Sequence, residues 1–114
     1  MAVRVICNDP QGLLNEIKTS IRNRTIETWL VDSDGDFTHT PNQWQNQAWF
    51  RPSVGQDRLE FYILGNRAHV MSKVTYAVYH GRFIEMLLTH FDERITRASA
   101  TAMPVSSDWV GPSS

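Results

Sequence analysis

Apolar residues recur at two different spacings along this chain, and the change of spacing divides it into helices and strands. VRVIC (3–7) is a short β-branched run and predicts a strand. The next stretch opens with a helix start signal: Asp9 can cap, and Pro10 suits a first helical position because its missing N–H would have had no partner there. Leu13, Leu14, Ile17 and Ile21 then follow at helical spacing, with Lys18 and Arg22 on the solvated side, which predicts a helix ending near Asn23. In the middle of the chain the period shortens. TWLVD and DFTHT flank Ser33-Asp34-Gly35, the composition of a tight hairpin turn. AWFR and RLEFYIL form a second pair, in which Leu59, Phe61 and Ile63 alternate with Glu60 and Tyr62 as in a half-buried strand.

A long helical pattern returns from Ser72 to about Glu93, with Ser72 placed to cap it. Val74, Val78, Ile84, Leu88 and Phe91 describe one stripe. Tyr76, Tyr79, Phe83, Met86 and Leu87 spread round to a second, so the helix is apolar over more than one core face requires. Gly81 in its middle predicts close approach of another backbone, since an unneeded glycine there costs about 1 kcal/mol relative to alanine. ITRASATAM leaves a final edge strand open, and residues 104–114 read as a flexible tail apart from Trp109.

The predicted order is β-α-β-β-β-β-α. Strands joined by short turns make an antiparallel meander. Residues 1–103 are therefore expected to form a single two-layer α+β domain, with a four- to five-stranded sheet and both helices on one face.

Composition narrows the function classes. Eleven basic residues against twelve acidic ones, net charge −1, supply no long-range attraction for phosphate backbones or anionic membranes. The single cysteine, Cys7, cannot form an internal disulfide and reads as a core residue at the end of its strand. The N-terminus shows no secretory signal pattern and no apolar run is long enough to span a bilayer, so the expectation is a soluble, cytoplasmic protein.

The aspartates of VDSDGDFTHT invite a metal reading. A calcium loop needs alternating carboxylates, a central glycine and a closing bidentate glutamate. Asp32, Asp34 and Asp36 meet the first requirement, but Phe37 and Gln43 stand where the glycine and glutamate belong. The glycine comes early, where a hairpin wants it, so the segment reads as a solvated turn. His80 and His90, ten helical residues apart, sit about 80° apart around the axis and roughly 15 Å along it, too far to share an ion. No metal or cofactor site is expected, and no nucleotide-binding or hydrolase signature occurs.

The sheet carries the more informative pattern. If Leu59, Phe61, Ile63, Ala48 and Phe50 face the helices, then Tyr62, Trp49 and Arg51 face away. Trp29 and Val31 join them if Leu30 faces inward; the opposite parity would bury the rings as core. An aromatic patch of that kind is rarely left bare on a monomer. The expectation is a non-enzymatic interaction module that forms a homo-oligomer through Trp29, Trp49, Arg51 and Tyr62, through the broad long helix, or through both. A small-ligand protein or enzyme is the alternative, with His39, Tyr76 and His80 lining a pocket between sheet and long helix. Single-stranded nucleic acid on the aromatic face comes third, because Asp32, Asp34, Asp36 and Glu60 would repel phosphates.

Overall fold

A computed structural model describes residues 3–111 of the chain. The elements run β1 (Val3–Ile6), α1 (Pro10–Arg22), β2 (Trp29–Val31), β3 (Phe37–His39), β4 (Ala48–Val54), β5 (Arg58–Gly65), α2 (Lys73–Phe91) and β6 (Arg97–Ala100). Both helix starts follow the capping logic of the sequence. The Asp9 carboxylate accepts from the Gly12 amide at 3.1 Å, and the Ser72 hydroxyl accepts from the Thr75 amide at 3.0 Å.

The strands form one antiparallel sheet in the order β2-β3-β4-β5-β1-β6. The meander β2 to β5 supplies one side, β1 adds to the far edge of β5, and β6 closes on β1. The stretch left open in the sequence is thus a sixth strand, with Arg4 opposite Ser99 and Ile6 opposite Arg97. The β2–β3 hairpin is built as its residues require. Asp32 and Asp36 are joined by a backbone hydrogen bond across three turn residues, and Gly35 takes φ +84°, a left-handed conformation that glycine adopts without a steric penalty.

One parity of the central strands faces the helices. Val3 and Val5, Ala48 and Phe50, and Leu59, Phe61 and Ile63 pack with Leu13, Ile17 and Ile21 of α1 and Tyr79, Phe83 and Leu87 of α2 in a single core. Both helices therefore lie on the same face. In α2 the stripe through Tyr79, Phe83, Met86 and Leu87 is the buried one, whereas Val74 and Leu88 are exposed. Gly81 lies on the open side, and among the described residues nothing beyond its own helix comes within 4 Å of where its Cβ would be. It is not a point of close backbone approach. No helix among the described residues is long and apolar enough to cross a membrane.

The segment after β6 is held rather than trailing. The described part of β1 reaches Phe61, and the backbone groups of Ile63 and Gly65 pair with the C-terminal segment. Trp109 makes that pairing. Its N–H donates to the Ile63 carbonyl at 2.9 Å, its carbonyl accepts from Gly65 at 2.6 Å, and it bridges Leu64 in parallel. The Asp108 carboxylate accepts from the amides of Ile63 and Val105, at 3.0 and 2.9 Å. Residues 112–114 of the expected tail lie outside the described residues.

Candidate functional site

The face of the sheet turned away from the helices carries the candidate site. Because Ala48 and Phe50 are core, Trp49 and Arg51 must project to the other side; because Leu59, Phe61 and Ile63 are core, Tyr62 and Leu64 do the same. Register makes them neighbours: Trp49 pairs with Leu64, and Arg51 pairs with Tyr62. The docked C-terminal segment then extends the first of these rows by one residue. Trp49, Leu64 and Trp109 lie side by side on three adjacent backbones and line a surface cleft of about 750 Å³, together with Arg51, Asn66 and Arg67.

Carboxylates close one end of that cleft. Asp32, Asp34 and Asp36 can bring their oxygens within 4.8 Å of one another. Two of the three are already engaged by the protein. The Asp32 Oδ1 accepts from the amides of Asp34 and Asp36, both at 2.9 Å, which holds the turn. Asp36 receives Arg51 in a two-pronged ion pair, Nε to Oδ1 at 3.1 Å and Nη2 to Oδ2 at 2.9 Å. That hydrogen bonding and the attraction of Asp36 hold Arg51 more firmly in its charged form, with Asp34 and Asp32 adding smaller contributions.

Cations gather on the opposite side of the face. Arg58 donates to Glu60 at 3.0 Å, and Arg4 lies 3.7 Å from the other oxygen of the same buried carboxylate. Arg97 on β6 is exposed and shares the outward parity of Ile6, since its neighbour Ala98 packs toward the core.

Trp29 is not part of this face. It points toward the helices with 5% of its surface exposed, edge-on to Tyr79 and Phe83 at ring-centroid distances of 5.8 and 5.0 Å. Val31 packs inward with it, while Leu30 faces out, 51% exposed. β2 is apolar on both parities, so its own alternation does not orient it. Its register with β3 does: Val31 pairs with Phe37, a core ring that itself pairs with Phe50, and Trp29 shares the parity of Val31.

The residues of the alternative pocket are also separated. His39 places Nδ1 2.8 Å from the Thr28 carbonyl and lines a cavity of about 400 Å³ with Trp29, Trp44, Arg82, Glu85 and His90. Tyr76 and His80 line none of it; their rings stack on each other at 3.9 Å. The Tyr76 hydroxyl donates to the Thr101 carbonyl at 2.9 Å. His80 donates from Nδ1 to the Tyr76 carbonyl at 2.6 Å, leaving a buried Nε2 with no hydrogen-bond partner among the described residues. Burial lowers the pKa of both histidines, most directly by disfavouring the charged ring. Cys7 is buried as expected, and burial, with Asp9 nearby, raises its thiol pKa away from reactivity.

Trp109 is the site residue that the strand pattern does not announce. Its only sequence signal is an Asp-Trp-Val triplet in an otherwise small and polar segment, where a carboxylate could tie down backbone and a ring could cover surface. No family model, no curated protein and no solved structure matches this chain.

Proposed function

We propose that this chain is a non-enzymatic association module that binds a second copy of itself through the open face of its sheet. The observation that carries this reading is the row Trp49–Leu64–Trp109, set on a face that no helix among the described residues covers and bordered by the Arg51–Asp36 ion pair. Tryptophan, tyrosine and arginine are the residues that concentrate binding energy at protein interfaces. Burying apolar surface there returns about 25 cal/mol per Å², against the cost of association. The anchors in this reading are Trp49, Tyr62 and Arg51, with Trp109 in the place the sequence had offered to Trp29.

Light scattering coupled to size-exclusion chromatography, run over a wide range of protein concentration, tests it. A dimer that dissociates on dilution and is weakened by Trp49→Ala, with the circular dichroism spectrum unchanged, supports the reading. A monomer at every concentration removes it.

A small-ligand reading draws on the cavity beside His39, whose imidazole and the Arg82–Glu85 pair offer polar groups among Trp29 and Trp44. Its test is a screen of small aromatic and anionic compounds, read by the shift of the His39 resonances. No saturable shift would discard it.

A further inference from the structure

We infer that the two copies meet about a two-fold axis running along the strands between β4 and β5, so that the acidic turn of each covers the basic edge of the other. This rests on the self-association reading above and adds its geometry. In a two-fold contact the same patch serves both partners, so the patch must be complementary to itself. The outer face is divided by charge. Asp32, Asp34 and Asp36 outnumber Arg51, which pairs with Asp36, at the β2–β3 side, and Arg4, Arg58 and Arg97 outnumber Glu60, which pairs with the first two, at the β5–β1–β6 side, with β4 and β5 in the middle of the six strands.

Two orientations bring such faces together with their strands aligned. An axis across the strands lays acidic side on acidic side and basic on basic. An axis along the strands exchanges the sides, and each carboxylate cluster meets arginines. Like charges brought together at an interface are costly, and opposite ones fix register and speed encounter. The levels also agree. The ion pair to Asp36 sets the turn beside Arg51 and the residues that follow it in β4, where the Ser53–Glu60–Arg4–Ser99 row crosses the sheet.

The same axis settles the middle of the interface. A residue of β4 then faces the β5 residue with which it is already in register. Trp49 lies over the partner's Leu64, and Tyr62 over the partner's Arg51, where a guanidinium against a ring adds a cation–π contact. The strands of the two sheets run nearly aligned, as in ordinary face-to-face packing.

Charge-swapped variants test the axis. In one, Asp32→Asn with Asp34→Lys makes the part of the turn outside the Arg51–Asp36 pair basic, while the amide side chain placed at position 32 keeps an oxygen for the two backbone N–H groups. In the other, Arg97→Glu with Ser99→Glu reverses the β6 edge. Each variant alone should dimerise at least about tenfold more weakly than the unaltered chain at low salt, and their equimolar mixture should recover the loss. A mixture no tighter than either variant overturns the axis, while a Trp49-dependent dimer of the unaltered chain would still stand. If the unaltered chain is monomeric throughout, the association reading falls with it. Cross-linking gives a second measure that alters little charge. Asp34→Cys and Ser99→Cys copies, mixed and treated with a short bis-maleimide, should join to each other; self-linking of Asp34→Cys alone overturns the proposal.

Discussion

Arg51 grips Asp36 through two hydrogen bonds, and the two partners are unequal: the guanidinium is about half exposed while the carboxylate is almost wholly buried. The pair joins β4 to the β2–β3 hairpin on the outer face and leaves the carboxylate dependent on one partner. Arg51→Met should therefore destabilise the protomer by more than a surface ion pair does, about 1–2 kcal/mol, because it strands a buried charge. Adding Asp36→Asn to that variant should recover part of the loss. A double variant no more stable than Arg51→Met would show that the carboxylate is hydrated without its arginine. Urea denaturation of the single and double variants measures both effects.

The two tryptophans that the sequence groups together should behave oppositely. Trp29 fills the core against Tyr79 and Phe83, so Trp29→Ala should cost about 3–5 kcal/mol, the range for removing a large buried ring. Trp49→Ala should cost less than about 1 kcal/mol of protomer stability and act on association instead. Denaturation at dilutions where the chain is monomeric separates the two, and equal losses would contradict the assigned parity.

Gly81→Ala should stabilise the protein by about 0.5–1 kcal/mol, since the position is helical, exposed and empty around the missing Cβ. The denaturation midpoint reads this directly. A loss of stability would mean that another backbone covers α2 there in solution, which would move the interface to the helix.

His80 should make the fold acid-sensitive. Its folded-state pKa lies below the ordinary 6.5, so the unfolded chain takes up the proton first as pH falls. Stability is then complete above about pH 6.5 and declines from there down to the lowered folded-state value. Protonated Nε2 would become a buried donor without an acceptor. His80→Phe keeps a ring between Tyr76 and Phe50 and should flatten that decline, leaving the share due to His39. An unchanged slope as pH falls below about 6.5 would assign the acid sensitivity elsewhere.

Asp108→Ala should release the C-terminal segment without unfolding the core. Two amides, those of Ile63 and Val105, lose their acceptor together. Their hydrogen exchange should quicken by roughly tenfold or more, while the amides of β1 and α1 hold their rates. Uniform acceleration would mean that the segment is integral to the global fold.

The helices, their caps and the order of the elements were legible because each depends on residues close in the chain. Asp9 and Ser72 reach amides three positions away, and the alternation in RLEFYIL reports burial of one side of one strand. The Asp-rich stretch was legible as a turn for the same reason, with Gly35 alone answering the left-handed position. The alternation also placed Trp49, Arg51 and Tyr62 on a common face before any pairing was known.

Long-range pairing decided the rest. Trp29 sits in a strand apolar on both sides, so only its register with Phe37 and His39 could turn it inward. Arg97–Ala100 became the sixth strand because β1 had an edge to offer, which nothing within RASA encodes. Trp109 reached the outer face because its backbone pairs with Ile63 and Gly65 at the end of β5. His39, Tyr76 and His80 parted because Tyr76 and His80 stack one turn apart on α2, while His39 is held by the Thr28 carbonyl. Local propensity and period are properties of a few neighbouring residues and survive in the sequence. Parity of an all-apolar strand, the occupant of a sheet edge and the company a side chain keeps are fixed by hydrogen bonds between distant segments, and only the folded chain brings those segments together.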